Sequence, residues 1–196
     1  MDDPEKKGFS LIEAAIVLGV VGLVIGGIWV AAATVREEWK ISRLFGDIQL
    51  IVNKAQNLIS SADSRSIGSV NITSQLQSAN VFPGDWSVFS AAWVKSSFGD
   101  YFQIINSSGG ATERFIIRSS GVKLAICIKL TTRISAAANA IGAGGYYSTT
   151  SLQSVTITNS GGGSSSWSTF PISVSSAKGA CSATNNTVDF YFGYSH

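Results

Sequence analysis

The chain has 196 residues, enough for one domain of ordinary size plus an additional element, and 45% of them are hydrophobic. Charged residues make up only 13%, against about 25% in typical soluble domains, so a membrane or extensive subunit contact must absorb some apolar surface. The formal net charge of +2 is small and the basic residues are scattered, which leaves no Lys/Arg stripe for neutralising phosphates and argues against specific nucleic-acid binding.

A short charged segment opens the chain, with Asp2, Asp3, Glu5, Lys6 and Lys7 ahead of Gly8. From Ala14 to Val35 no residue is charged and Thr34 is the only hydroxyl, a stretch long enough for the roughly 20 residues a bilayer requires. A secretory signal peptide is the competing reading, with Ala31-Ala32-Ala33 imitating its cleavage site. Against it, a signal's apolar region spans only about 7–15 residues. Glu13 stands near the start of this apolar helix, where an ionised carboxylate costs several kcal/mol unless it is paired or lifted to the interface. It either snorkels or awaits a cation from elsewhere. Gly22 and Gly26 form a G-x-x-x-G, and with Gly19 and Gly27 they suit close helix packing.

Lys6-Lys7-Gly8-Phe9-Ser10-Leu11-Ile12-Glu13 resembles the processing site of the type IV pilin precursors. In that family a charged leader ends in Gly, cleavage exposes an aromatic or aliphatic residue, and a Glu stands a few residues into the mature chain. The resemblance implies that residues 1–8 are a leader removed after Gly8 by a membrane-embedded aspartic prepilin peptidase, which also N-methylates Phe9. It further implies that the Phe9 ammonium of one subunit meets Glu13 of a neighbour, making Glu13 an assembly residue. Such a pair in a low-dielectric core penalises wrong register more than it adds net stability. Residues 9–35 would form the transmembrane and filament-core helix.

Beyond Arg36-Glu37-Glu38 the pattern turns amphipathic: Ile41, Leu44/Phe45, Ile48, Val52, Ala55 and Leu58/Ile59 recur at helical spacing. The helix therefore continues through residues 36–62, as an amphipathic half packed on the rest of the protein, and runs roughly 80 Å from Phe9 at 1.5 Å per residue. Asp47, Gln49, Asn53, Lys54 and Gln56 are expected on a solvated or subunit-facing surface. Residues 63–113 are rich in Ser, Asn and Gly, with a Pro83-Gly84 turn, and are expected to be a connecting loop region with a short helix near Ile72–Ala79. Val81-Phe82-Pro83 and Ser97-Phe98-Gly99-Asp100-Tyr101-Phe102 resemble connecting-loop segments of class b pilins.

Residues 114–196 read as a β-sheet domain. Strands are expected at Arg114–Arg118, Lys123–Leu130, Ser154–Thr158 and Val188–Tyr194, a helix at Ile134–Ile141 closed by Gly142–Gly145, and a flexible loop at Gly161–Ser166. The fold class is α+β, the long helix packed on a mainly antiparallel sheet. Cys127 and Cys181 are the two cysteines. They pair if this region lies outside the cytoplasm, contributing on the order of 4 kcal/mol, or remain buried thiols if it does not. The wide spacing resembles the disulfide-bounded C-terminal region, here 127–181, of class b pilins, whereas the short leader and Phe9 resemble class a.

Enzyme chemistry finds little support. The single histidine, His196, is the last residue, a weak basis for a Ser-His-Asp arrangement. Gly142-Ala143-Gly144-Gly145 lacks the form of a phosphate-binding loop, and no CxxC suggests a metal. Asn71-Ile72-Thr73 fits a glycosylation pattern that often occurs by chance. No catalytic residue, cofactor or metal is expected. The family resemblance implies a structural subunit of a bacterial pilus, made in the inner membrane, processed by the peptidase, handled by the assembly machinery and polymerised with identical copies outside the cell. A minor pilin or secretion pseudopilin is the alternative within the resemblance. A membrane-tethered binding protein or enzyme is the alternative outside it.

Overall fold

The computed structural model describes residues 10–61, 70–107, 113–137, 151–182 and 184–194. It divides into two compact units, residues 1–40 and 41–196. The first helix, α1 (Leu11–Ser61), is common to both. It begins where the Ser10 carbonyl accepts the amides of Glu13 and Ala14 at 3.0 and 3.1 Å, and no proline interrupts it. In the first unit none of the described residues is buried, and Leu11, Leu23 and Trp29 are among many exposed apolar side chains.

The second unit is an α+β domain built on an antiparallel sheet. Its part of α1 buries Ile41, Leu44, Ile48, Ile51, Val52 and Ala55, a stripe at the helical repeat. After α1 come β1 (Val70–Asn71), α2 (Thr73–Ser78), β2 (Ser87–Ser90), β3 (Trp93–Lys95), β4 (Tyr101–Ser107) and β5 (Glu113–Val122). Then follow α3 (Leu124–Ala136), β6 (Ser151–Thr158), β7 (Ser164–Trp167), α4 (Val174–Ala180) and β8 (Asn186–Tyr194). Strand order is β2-β3-β4-β5-β8-β6-β7, with β1 on β4. The last strand therefore lies in the sheet's interior, between β5 and β6. Alternation sends Phe102 and Ile104, Phe115 and Ile117, Val155 and Ile157, and Val188, Phe190 and Phe192 to one face, where they join the stripe of α1 in a single core. Phe115 stacks on its cross-strand partner Phe192 at 5.3 Å between ring centres.

Several expectations need correction. Residues 63–113 are not merely a connecting loop, because β1 to β4 lie there; the helix expected near Ile72–Ala79 is α2. Lys123–Leu130 is expected from sequence as a strand, yet Cys127 stands on α3. A short apolar run fits either period, but Cys127, Leu130, Thr131, Ile134 and Ser135 are the buried residues of α3, and that spacing is helical. The expected helix Ile134–Ile141 contributes its first residues to the end of α3, which Ala137 caps; residues 138–141, with Gly142–Gly145, lie outside the described residues. The expected loop Gly161–Ser166 is instead a tight turn leading into β7. Asn159 Oδ1 accepts the amides of Gly161 and Gly163 at 3.1 and 3.0 Å. Gly162 has φ +81, and a Cβ on Gly163 would come within 2.9 Å of Asn159 Nδ2, so glycines fit this turn where larger residues would strain it. Gln56, expected on the surface, is buried.

The cysteines do pair. Cys127 on α3 is bonded to Cys181 at the end of α4, with Cα atoms 6.2 Å apart. Ser173 caps α4 by accepting the Ser176 amide at 3.1 Å. Beyond the bridge, buried Asn186 donates to the carbonyls of Val122 and Ser182 at 2.9 and 3.0 Å and accepts the Ser182 amide. One side chain thus ties the end of β5 and the start of β8 to the segment carrying Cys181.

Two outcomes follow from this packing. Cys127→Ser with Cys181→Ser should lower the unfolding free energy of the full chain by about 2–5 kcal/mol in urea titrations monitored by circular dichroism. Phe190→Ala, opening a void at a fully buried ring in the interior strand, should cost about 3–5 kcal/mol in the same assay.

Candidate functional site

Gly8 and Phe9, the expected processing and modification residues, lie outside the described residues, as do leader residues 1–7 and His196. Glu13 is described. It occupies the first turn of α1 and is exposed. An acidic side chain there complements the positive end of the helix macrodipole. Among the described residues no basic side chain pairs with it. At Gly19, Gly22, Gly26 and Gly27 an added Cβ would meet no side-chain or distant atom within 4 Å, so their faces are open to a close neighbour.

Among the described residues one helix is long and apolar enough to cross a membrane; its most apolar 18-residue window has a mean hydropathy of 2.5 and is 0% buried. Leu11 is 88% exposed and Leu23 79%. Each such side chain moved out of water gains about 1.5–3 kcal/mol, so this surface calls for a bilayer or other apolar helices as its surroundings.

No family model, curated protein or solved structure matches the chain.

The second unit contains a polar network that the sequence pattern assigns only to surface. Asp47, beyond the charge-free stretch of α1, accepts the Trp86 indole N–H at 3.2 Å. Burial pushes its pKa above the ordinary carboxylate value and Asp85 adds to the rise, while the Trp86 hydrogen bond and Arg43 oppose it. Arg43 pairs with Asp85 nearby, on the surface. On the sheet, Arg118 makes a two-pronged bond to the cross-strand Asp189 at 2.8 Å per contact. That hydrogen bonding raises the pKa of Arg118, against the opposing effect of burial.

Among the described residues no group of three or more His, Cys, Asp or Glu could hold a metal ion. The Asn71-Ile72-Thr73 pattern serves the fold: Asn71 Oδ1 accepts the Thr73 amide at 2.9 Å and Nδ2 donates to the Ala92 carbonyl at 3.2 Å. Sequence reading missed an aromatic cluster, Phe89, Trp93 and Tyr101, which lines an open cavity on β2 to β4. The signal for it is the β-branched and aromatic content of Trp86–Phe89 and Tyr101–Ile105, within residues expected as a connecting loop.

Because Asp47 binds protons more readily folded than unfolded, its contribution to stability falls as pH rises through the interval between the unfolded and raised folded pKa values. It is least favourable once the carboxylate is ionised. Asp47→Asn retains an acceptor for Trp86 and removes the desolvated charge. The variant should be at least as stable as the parent at pH 7 and should lose that acid-side slope, as checked by urea unfolding at pH 3, 5 and 7.

Proposed function

We propose that the chain is the precursor of a type IV pilin, a non-enzymatic structural subunit that polymerises through its N-terminal helix. The observation that carries this reading is the coincidence of a Gly8-Phe9 junction and an exposed Glu13 with a long apolar helix that buries none of its described residues before Ile41. A prepilin peptidase in the inner membrane cleaves after Gly8 and methylates the new Phe9 amine. The span 9–35 holds the subunit in the bilayer until the assembly machinery draws it into a filament.

In the filament, neighbouring apolar helices replace lipid around α1. The Phe9 ammonium of one copy meets Glu13 of another, and the cost of leaving either charge alone in apolar surroundings selects the register. The disulfide-bonded α+β domain is displayed outside the cell, where an oxidising compartment sustains the Cys127–Cys181 bond. Adhesion, aggregation, motility or conjugation are the tasks such a filament performs. The open faces of Gly22 and Gly26 support close helix approach in that assembly.

In cells carrying the assembly machinery, Glu13→Ala should abolish filaments seen by electron microscopy while leaving the amount of membrane-inserted subunit unchanged. Normal filament yield from that variant overturns the reading. Mass spectrometry of the parent protein should find a mature start at N-methyl-Phe9. An intact Met1, or a start near Thr34, would instead assign the helix to an anchor or a signal peptide.

A further inference from the structure

The outer face of the sheet carries an aromatic cluster that the core does not use. On β3 and β4, Val94 and Phe102 are register partners and both are buried. Alternation therefore sends Lys95 and Tyr101, the next pair, to the opposite face, and Ser120 of β5 lies across from Tyr101. Phe89 of β2 and Trp93 of β3 complete the group. Phe89, Trp93, Tyr101 and Ser120 line an open cavity of about 340 Å³.

The rings have a defined mutual geometry. Phe89 meets Tyr101 edge-on, with centres 4.8 Å apart and planes at 63°. Lys95 Nζ lies 5.7 Å from the centre of the Tyr101 ring. Phe89 remains 62% exposed, so its ring is not spent on folding. Three aromatic rings and Ser120 thus line an open depression, with the Lys95 ammonium beside the Tyr101 ring.

We infer that this depression binds the pyranose rings of a glycan. A pyranose has a flat C–H face that stacks on aromatic rings and a rim of hydroxyls that needs polar partners. The cavity offers its rings for the face and Ser120 for the rim, with the Lys95 ammonium next to the Tyr101 ring. A purely apolar ligand would make no use of Ser120 or of the neighbouring Lys95 ammonium. Quaternary ammonium ions also favour aromatic cages, but here a cation already lies beside Tyr101 and no carboxylate among the described residues lines the cavity. The ammonium of Lys95 favours sugars carrying a carboxylate over neutral ones. All of these residues belong to the second unit, so the inference does not rest on polymerisation.

Full-length protein in micelles of a non-glycosidic detergent, dialysed to equilibrium against cellohexaose, hexagalacturonate or tetramethylammonium, tests the assignment. Saturable uptake of at least one oligosaccharide is expected, weakened at least about tenfold by Phe89→Ala and by Trp93→Ala. Tyr101→Phe, which keeps the ring, should retain binding. Since the Phe89 ring is largely exposed, Phe89→Ala should melt with the parent protein, separating lost binding from lost fold. Uptake of neither sugar, sugar uptake unchanged by Phe89→Ala, or uptake of tetramethylammonium alone overturns the inference.

Discussion

A hydrophobic stripe on α1, formed by Leu44, Ile48, Ile51, Val52 and Ala55, shares one core with the sheet, and the architecture of the second unit depends on that burial. Without a helix over its apolar face the sheet would expose Phe102, Phe115, Phe190 and Phe192 to water. An antiparallel sheet with one apolar face is stable only when that face is covered. The same helix includes residues 11–40, whose composition has the opposite requirement. Its apolar residues surround the helix rather than forming a stripe, which suits lipid or a packed bundle of like helices.

The covalent and polar ties reinforce this arrangement where the hydrophobic pattern is weakest. Serine-rich segments around α4 offer few apolar anchors. There the Cys127–Cys181 bridge joins α4 to α3, while Asn186 bonds the Ser182 backbone ahead of β8 and the Val122 carbonyl at the end of β5. Ser135 performs a related task by accepting the Ile172 amide in the interior. Buried polar groups of this kind are costly unless bonded, so their pairing restricts how the chain can enter the last strand.

The outer face of the sheet follows a different logic. Arg118 and Asp189 lock adjacent strands with a bond that also satisfies a nearly buried carboxylate. Toward the β2 edge, charge gives way to Phe89, Trp93 and Tyr101.

Much was legible in local pattern. The uncharged run Ala14–Val35 and the repeat from Ile41 to Ala55 identified α1, because residues a few positions apart on one helix must share its surroundings. β-Branched and aromatic content likewise marked β5, β6 and β8. Pairing of the cysteines and the nature of Lys123–Leu130 were not local questions. The isoleucines there suit a strand, but docking Cys127, Leu130 and Ile134 into one core selects the helix. Nor did the sequence show that β8 enters between β5 and β6, or that Phe89, Trp93, Tyr101 and Ser120 share a cavity. By itself the sequence determined the long helix α1 and its apolar stretch, since periodicity is a property of neighbouring residues. Tertiary structure alone decided strand order and the aromatic cavity, because both arise from contacts between residues far apart in the chain.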